Sequence, residues 1–208
     1  MTDNTNVTNV TDGVRSHATD GSPHGHPTRA RRGWVGVLTH RWPTLLAIAF
    51  AVLVVFGLKP GRELYFLLFI LGLGYLVPTA LNVPWAPWVV LVLSIPAQIV
   101  MMALGIEPAV GLLVVALFFL ILGFARSRVQ APWGMPLQTA GMLAFGGLGL
   151  ATMFVSPTLG GYLVAAGLIG HGIWDIVHYW ANKVVVRSYA EMCAVYDILL
   201  GTAILIVM

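Results

Sequence analysis

Charge is what this sequence has least of. Only 9% of its 208 residues are Asp, Glu, Lys or Arg, whereas 58% are hydrophobic. Soluble domains carry roughly 25% charged residues, so there is too little charge here to clothe a water-facing surface. Cysteine is reduced to one residue, Cys193, which excludes an intramolecular disulfide framework. Also missing are His-Glu-x-x-His, the clustered histidine boxes of desaturases, Gly-x-Ser-x-Gly and a phosphate-binding glycine loop. None of those enzyme classes is indicated, and with no separate soluble domain any chemistry has to take place at a membrane. The formal net charge of +3 does not point to nucleic acid. In such an apolar chain basic residues serve to hold loops at an anionic membrane surface.

What is present is a series of apolar blocks, at residues 43–58, 64–81, 88–105, 109–125, 137–155, 162–181 and 191–208. Each is close to the length a helix needs to cross a hydrocarbon layer of about 30 Å. The separators collect most of the prolines and charges, and Pro60, Pro87, Pro108 and Pro136 stand where a helix can begin. No block alternates as a membrane barrel strand does. The sequence therefore predicts an all-α, polytopic membrane domain of seven transmembrane helices over residues 34–208. Pro78 and Pro96 fall inside spans and predict kinks. Glycines in 141–150 and 160–172 predict close packing of spans five and six.

Residues 1–33 form a polar tail with almost nothing to bury, expected to be disordered. It does not read as a secretory signal, since no apolar core follows its charges within the first thirty residues. Asn6 and Asn9 head glycosylation sequons, which matter only if the tail enters a secretory lumen. His24 and His26 are a weak metal-binding pair. Arg15, Arg29, Arg31, Arg32 and Arg41 precede the first span, and Arg126, Arg128, Lys183 and Arg187 lie in loops on the same side; only Lys59 and Arg62 fall opposite. That bias predicts a cytoplasmic N-terminus and an external C-terminus. Trp34, Trp42, Trp85, Trp88 and Trp133 fall near span ends, as an interfacial belt requires.

With Glu191 at a span boundary, the only acids inside the spans are Asp175 and Asp197 and the only histidines His171 and His178. An intramembrane carboxylate costs roughly 2.5–3.5 kcal/mol, so two of them call for partners. His171, Asp175 and His178 stand at i, i+4 and i+7 on one helical stripe, and Tyr189, Cys193, Tyr196 and Asp197 share a face of the last span. If the last two spans fold back through a loop near 182–190, Asp175 comes level with Asp197. His171, Asp175, His178, Cys193 and Asp197 then converge in the half of the membrane next to that loop.

Three functions fit such a cluster. His171, Asp175, His178 and Cys193 are a donor set for Zn²⁺ or Fe²⁺, with Asp197 as an outer acceptor or base for metal-assisted chemistry. A lipid or small apolar molecule would then enter laterally. Alternatively, Asp175 and Asp197 serve as relay groups of a proton-coupled transporter or channel. Thirdly, the groups only tie helices together, Asp175 to His178 and Asp197 to Tyr189, in a non-catalytic accessory subunit.

The segment "HGIWDIVHYW" followed by "CAVYD" resembles a group of small bacterial integral membrane proteins of unknown function. Their C-terminal helices carry a His-x-x-Trp-Asp-x-x-His-His signature and then a Cys-Asp motif. The matching positions are His171, Trp174, Asp175, His178, Cys193 and Asp197. The chain departs from the pattern at Tyr179, where a second histidine is expected, and at Tyr196, where a second cysteine is expected. The resemblance implies a bacterial inner-membrane setting and carries no activity with it.

Overall fold

A computed structural model describes residues 41–57, 61–126, 128 and 132–208. The tail at 1–33, with its sequons and its histidine pair, and also Trp34 and Lys59, lie outside the described residues. Seven α-helices follow one another: α1 (Trp42–Val55), α2 (Tyr65–Leu81), α3 (Ala86–Ala103), α4 (Pro108–Ala125), α5 (Met135–Ala151), α6 (Pro157–Ala181) and α7 (Arg187–Val207). A 3₁₀ turn, Gly61–Leu64, leads into α2, and another, Thr152–Phe154, extends α5. Among the described residues there are no strands. Six of these helical segments are long and apolar enough to cross a membrane. The first, α1, has 14 residues, which at 1.5 Å per residue is about 21 Å, short for an untilted span.

The helix ends follow local chemistry. Pro43, Pro87, Pro108, Pro136 and Pro157 occupy first-turn positions, where a missing amide hydrogen costs nothing. Gly105 (φ +68°) closes α3, its amide bonding Met102 O while that of Ile106 reaches Met101 O. The chain thus reverses there between two separate helices of 18 residues each. Asn82 (φ +59°) and Asn182 (φ +51°) end α2 and α6 in the left-handed conformation, which asparagine tolerates better than most residues.

Helix α2 is the centre of the bundle, two-thirds buried, and packs against α3, α4, α5 and α6. Helices α3 and α4 lie outside it and expose large apolar side chains such as Val92, Leu93, Ile99, Val114, Phe118 and Ile121. Such a surface suits hydrocarbon rather than water. Helices α6 and α7 form the most extensive pair, with α1 laid along α7. The glycines expected to join spans five and six do so in part: a Cβ on Gly141 would meet Trp174 of α6, and one on Gly167 would meet Leu148 of α5, while others serve different partners. A Cβ on Gly149 would meet Tyr65 O, and one on Gly146 would meet Phe69, both of α2; a Cβ on Gly172 would meet Ala194 O of α7. The contacts that reach a neighbour's backbone are α5 to α2 and α6 to α7, whereas α5 and α6 meet through side chains laid over glycines.

Successive helices run antiparallel. One end of the bundle gathers the start of α1, the α2–α3, α4–α5 and α6–α7 connections, and the tryptophans Trp42, Trp85, Trp88, Trp133 and Trp180. Arg41 Nη1 meets Glu191 Oε1 there at 3.5 Å, and Thr44 donates to the same oxygen at 2.6 Å. Trp42 and Trp88 stack 5.4 Å apart. At the other end Tyr65 hydrogen-bonds Glu107, and Arg62 Nη2 donates to Met153 O at 3.2 Å.

Candidate functional site

The turn between α6 and α7 spans only residues 182–186, and it sets the register of the pair. His171 lies ten residues before Ala181, and Asp197 ten after Arg187. In an antiparallel hairpin these two come level, whereas the longer loop expected from sequence paired Asp175 with Asp197. The shorter turn slides α7 by about one helical turn and brings Cys193, not Asp197, level with Asp175. Depth changes as well. Asp197 is ten residues from each end of α7, so the centre lies midway along the bundle rather than in the half next to the turn.

At that level one imidazole nitrogen stands between two carboxylates. His171 Nδ1 is 2.8 Å from Asp197 Oδ2 and 2.9 Å from Asp175 Oδ2. All three side chains are fully buried. Ionised carboxylate oxygens only accept, so Nδ1 carries the hydrogen; its direction favours Asp197, leaving Asp175 Oδ2 beside the nitrogen but off the N–H axis. Tyr75 of α2 donates to the other oxygen of Asp175 at 2.5 Å. Three helices are joined through these four side chains. His171 Nε2 and Asp197 Oδ1 are buried with no hydrogen-bond partner among the described residues.

One donor atom from each of His171, Asp175 and Asp197 falls within 4.8 Å of the others, so these three can hold a metal ion. His178 and Cys193 stand outside that group. His178 Nδ1 donates to Trp174 O at 2.9 Å, its Nε2 faces Gln138 Nε2 at 3.5 Å, and its ring lies 4.5 Å from that of Tyr75. Cys193 is buried with Tyr75 and Tyr189. The ties weighed from sequence, Asp175 to His178 and Asp197 to Tyr189, give way to Tyr75–Asp175 and His171–Asp197. Trp174 packs within the bundle, its indole against Phe145 and Tyr75 and its six-membered ring over Gly141.

Two participants were not found from sequence: Tyr75 and Gln138. A search for charged and imidazole groups passes over a phenol and an amide, although both are polar groups in apolar helices that have to be satisfied. The space beside His171, bounded by Gly72, Tyr75, Gln138, Met142, Phe145 and Trp174, is too small for a water molecule.

A row of aromatic rings leads from the centre towards the tryptophan-rich end. Tyr75 touches His178, and His178 touches Trp133 at 5.1 Å between ring centroids. Trp133 in turn lines an open cleft of 330 Å³ at that end. A comparison with protein-family models, curated proteins and solved structures finds no match to the chain.

Proposed function

We propose that this multi-pass membrane protein binds and passes protons at a buried centre made of His171, Asp175 and Asp197, loaded from the tryptophan-rich end. One observation carries the reading: a single imidazole nitrogen lies between two fully buried carboxylates, hydrogen-bonded to Asp197 at 2.8 Å and 2.9 Å from Asp175. These are hydrogen-bond lengths. Two ligands of a tetrahedral Zn²⁺, each about 2.0–2.1 Å from the metal, stand roughly 3.3–3.4 Å apart, half an ångström wider than observed.

Charge counting leads the same way. Two carboxylates and one imidazolium leave a net charge of −1, and one further proton brings the trio to neutrality. No Lys or Arg side chain is part of the trio to do so instead. A centre whose neutrality depends on one mobile proton is what a proton-coupled membrane protein requires. His171 can turn its hydrogen between Asp197 and Asp175, while Tyr75 and His178 line the side facing the cleft. The cationic residues Arg41, Arg126, Arg128, Lys183 and Arg187 cluster at the cleft end, with Arg62 opposite, which supports a cytoplasmic orientation for that end.

A second reading, one bound divalent metal, rests on the three donor atoms lying within 4.8 Å. Neutral His171 with both carboxylates would balance a 2+ ion, once the trio opened by half an ångström. Metal-assisted chemistry on a lipid fits less well, since the space beside His171 admits no water and an activated water needs an open coordination position.

Proteoliposomes holding the full chain and a pH-sensitive dye separate these readings. Under an imposed pH gradient, proton flux is expected that Asp175→Asn and Asp197→Asn each abolish. Absence of flux, together with one transition-metal ion per chain that His171→Ala removes, would replace the proton reading by the metal one.

A further inference from the structure

The cleft at the tryptophan-rich end is the entry side of the proposed proton path, but its composition is unlike that of the rest of the bundle. Three connections build it: Pro78, Thr79, Asn82 and Pro84 from α2 and its turn, Arg128, Trp133 and Gly134 from the α4–α5 connection, and Lys183 and Val184 from the α6–α7 turn. Two cations line its 330 Å³, and among the described residues no carboxylate does. Among the described residues the acid at that end, Glu191, is already engaged by Arg41 and Thr44. Arg128 Nε is buried with no hydrogen-bond partner among the described residues, an unmet donor of the kind that a bound acceptor satisfies. Gly134 is the N-cap of α5, which puts the positive end of that helix dipole beside the same space. The Met135 amide is already taken by Arg128 O, and Pro136 has none.

The backbone presenting Lys183 is strained. Val184 has φ +71°, a conformation rare for any β-branched residue. The amide of Val185 bonds Lys183 O at 2.8 Å, so Lys183–Val185 form a γ-turn of the unfavourable hand. The amide of Val186 is held by Pro84 O at 3.0 Å, which locks the turn against the α2–α3 connection. A glycine at 184 would adopt this shape without cost. Strain of this kind persists where surrounding structure enforces it, and it concentrates at binding sites.

We infer that this cleft binds a phosphate group. A guanidinium fork and an ammonium point charge, with the positive end of the α5 dipole beside them, match the charge and multiple acceptors of phosphate. The volume is at the small end of ligand pockets, suited to a headgroup or a small phosphate compound. An anionic lipid headgroup and a free phosphate share this chemistry, and the belt of tryptophans places the cleft where either can reach it.

The test uses the full chain in two arms. In detergent, inorganic phosphate is titrated against tryptophan fluorescence and thermal unfolding. In nanodiscs of phosphatidylcholine with or without phosphatidylglycerol, retained lipid is counted by native mass spectrometry. Saturable binding is expected in at least one arm, and the arm that responds identifies the source. Lys183→Gln and the double variant Arg128→Gln/Lys183→Gln should weaken it about ten-fold or more, while Lys183→Arg retains it. Asp197→Asn should leave binding unchanged, so failure of the proton reading would not be mistaken for failure of this one. Silence in both arms, or equal binding by folded Arg128→Gln/Lys183→Gln protein, overturns the proposal.

Discussion

His171 of α6 and Asp197 of α7 face each other at 2.8 Å across the most extensive helix pair of the bundle, each ten residues from the turn that joins their helices. The pairing rests on the short 182–186 turn, and it brings Asp175 into contact with the same nitrogen. Removing the imidazole alone leaves two buried carboxylates with nothing between them. His171→Ala should destabilise the chain by about 3–5 kcal/mol, measured by denaturant titration in detergent. The triple variant His171→Leu/Asp175→Asn/Asp197→Asn should recover most of that loss while carrying no proton flux. If the triple variant were as unstable as His171→Ala, the trio would owe its presence to packing rather than to chemistry.

Tyr75 ties α2 to the centre through one hydrogen bond to Asp175. Tyr75→Phe keeps the ring and its contacts with His178 and Trp174 but strands a buried carboxylate oxygen. The expected cost is roughly 1–3 kcal/mol, with slower proton flux in the same proteoliposome assay. An unchanged rate would remove Tyr75 from the path between cleft and centre.

The α6–α7 distance is set by small residues. A Cβ on Gly201 would come 3.0 Å from the backbone oxygen of Ala165 and 2.8 Å from Ile169, and one on Gly172 would come 2.7 Å from Ile198. Gly201→Val should force the helices apart and lower both stability and flux. Gly147→Ala is the matched control, since its Cβ would meet nothing within 4 Å and the helix gains up to about 1 kcal/mol from the exchange. Unfolding midpoints of the two variants in detergent should move in opposite directions.

The single cysteine makes sidedness measurable. Cys193 is 2% exposed and should resist membrane-impermeant maleimides in intact vesicles. Lys183→Cys and Glu107→Cys lie at opposite ends of the bundle, and each should be labelled from only one face, the two faces being opposite. Labelling of both from the same face would contradict the antiparallel order of α4, α5 and α6.

Much of this fold is legible from hydropathy because lipid imposes a simple rule. Backbone groups have to be satisfied within each segment, so apolar runs of the right length become helices. Prolines at helix starts marked boundaries to within a few residues: Pro108 begins α4, and Pro87 is the second residue of α3. The meeting of His171, Asp175 and Asp197 was legible from i, i+4 spacing and the aversion of carboxylates to hydrocarbon. Register was not. It depends on whether a turn takes five residues or nine, and the strained turn at Val184 leaves no glycine to announce itself. Nor was Tyr75 legible, because its role comes from α2 lying at the centre of the bundle, a fact of tertiary packing that no local pattern encodes. The glycines of α5 show the same limit: small residues signal close approach without naming the helix that approaches.

The most direct test of the central claim is the proton flux of Asp197→Asn compared with the unaltered chain, in proteoliposomes under an imposed pH gradient. Asparagine keeps the shape of the side chain and removes its capacity to take up a proton. The account predicts flux in the unaltered chain and its loss in correctly folded Asp197→Asn protein. Equal flux in the two would contradict it.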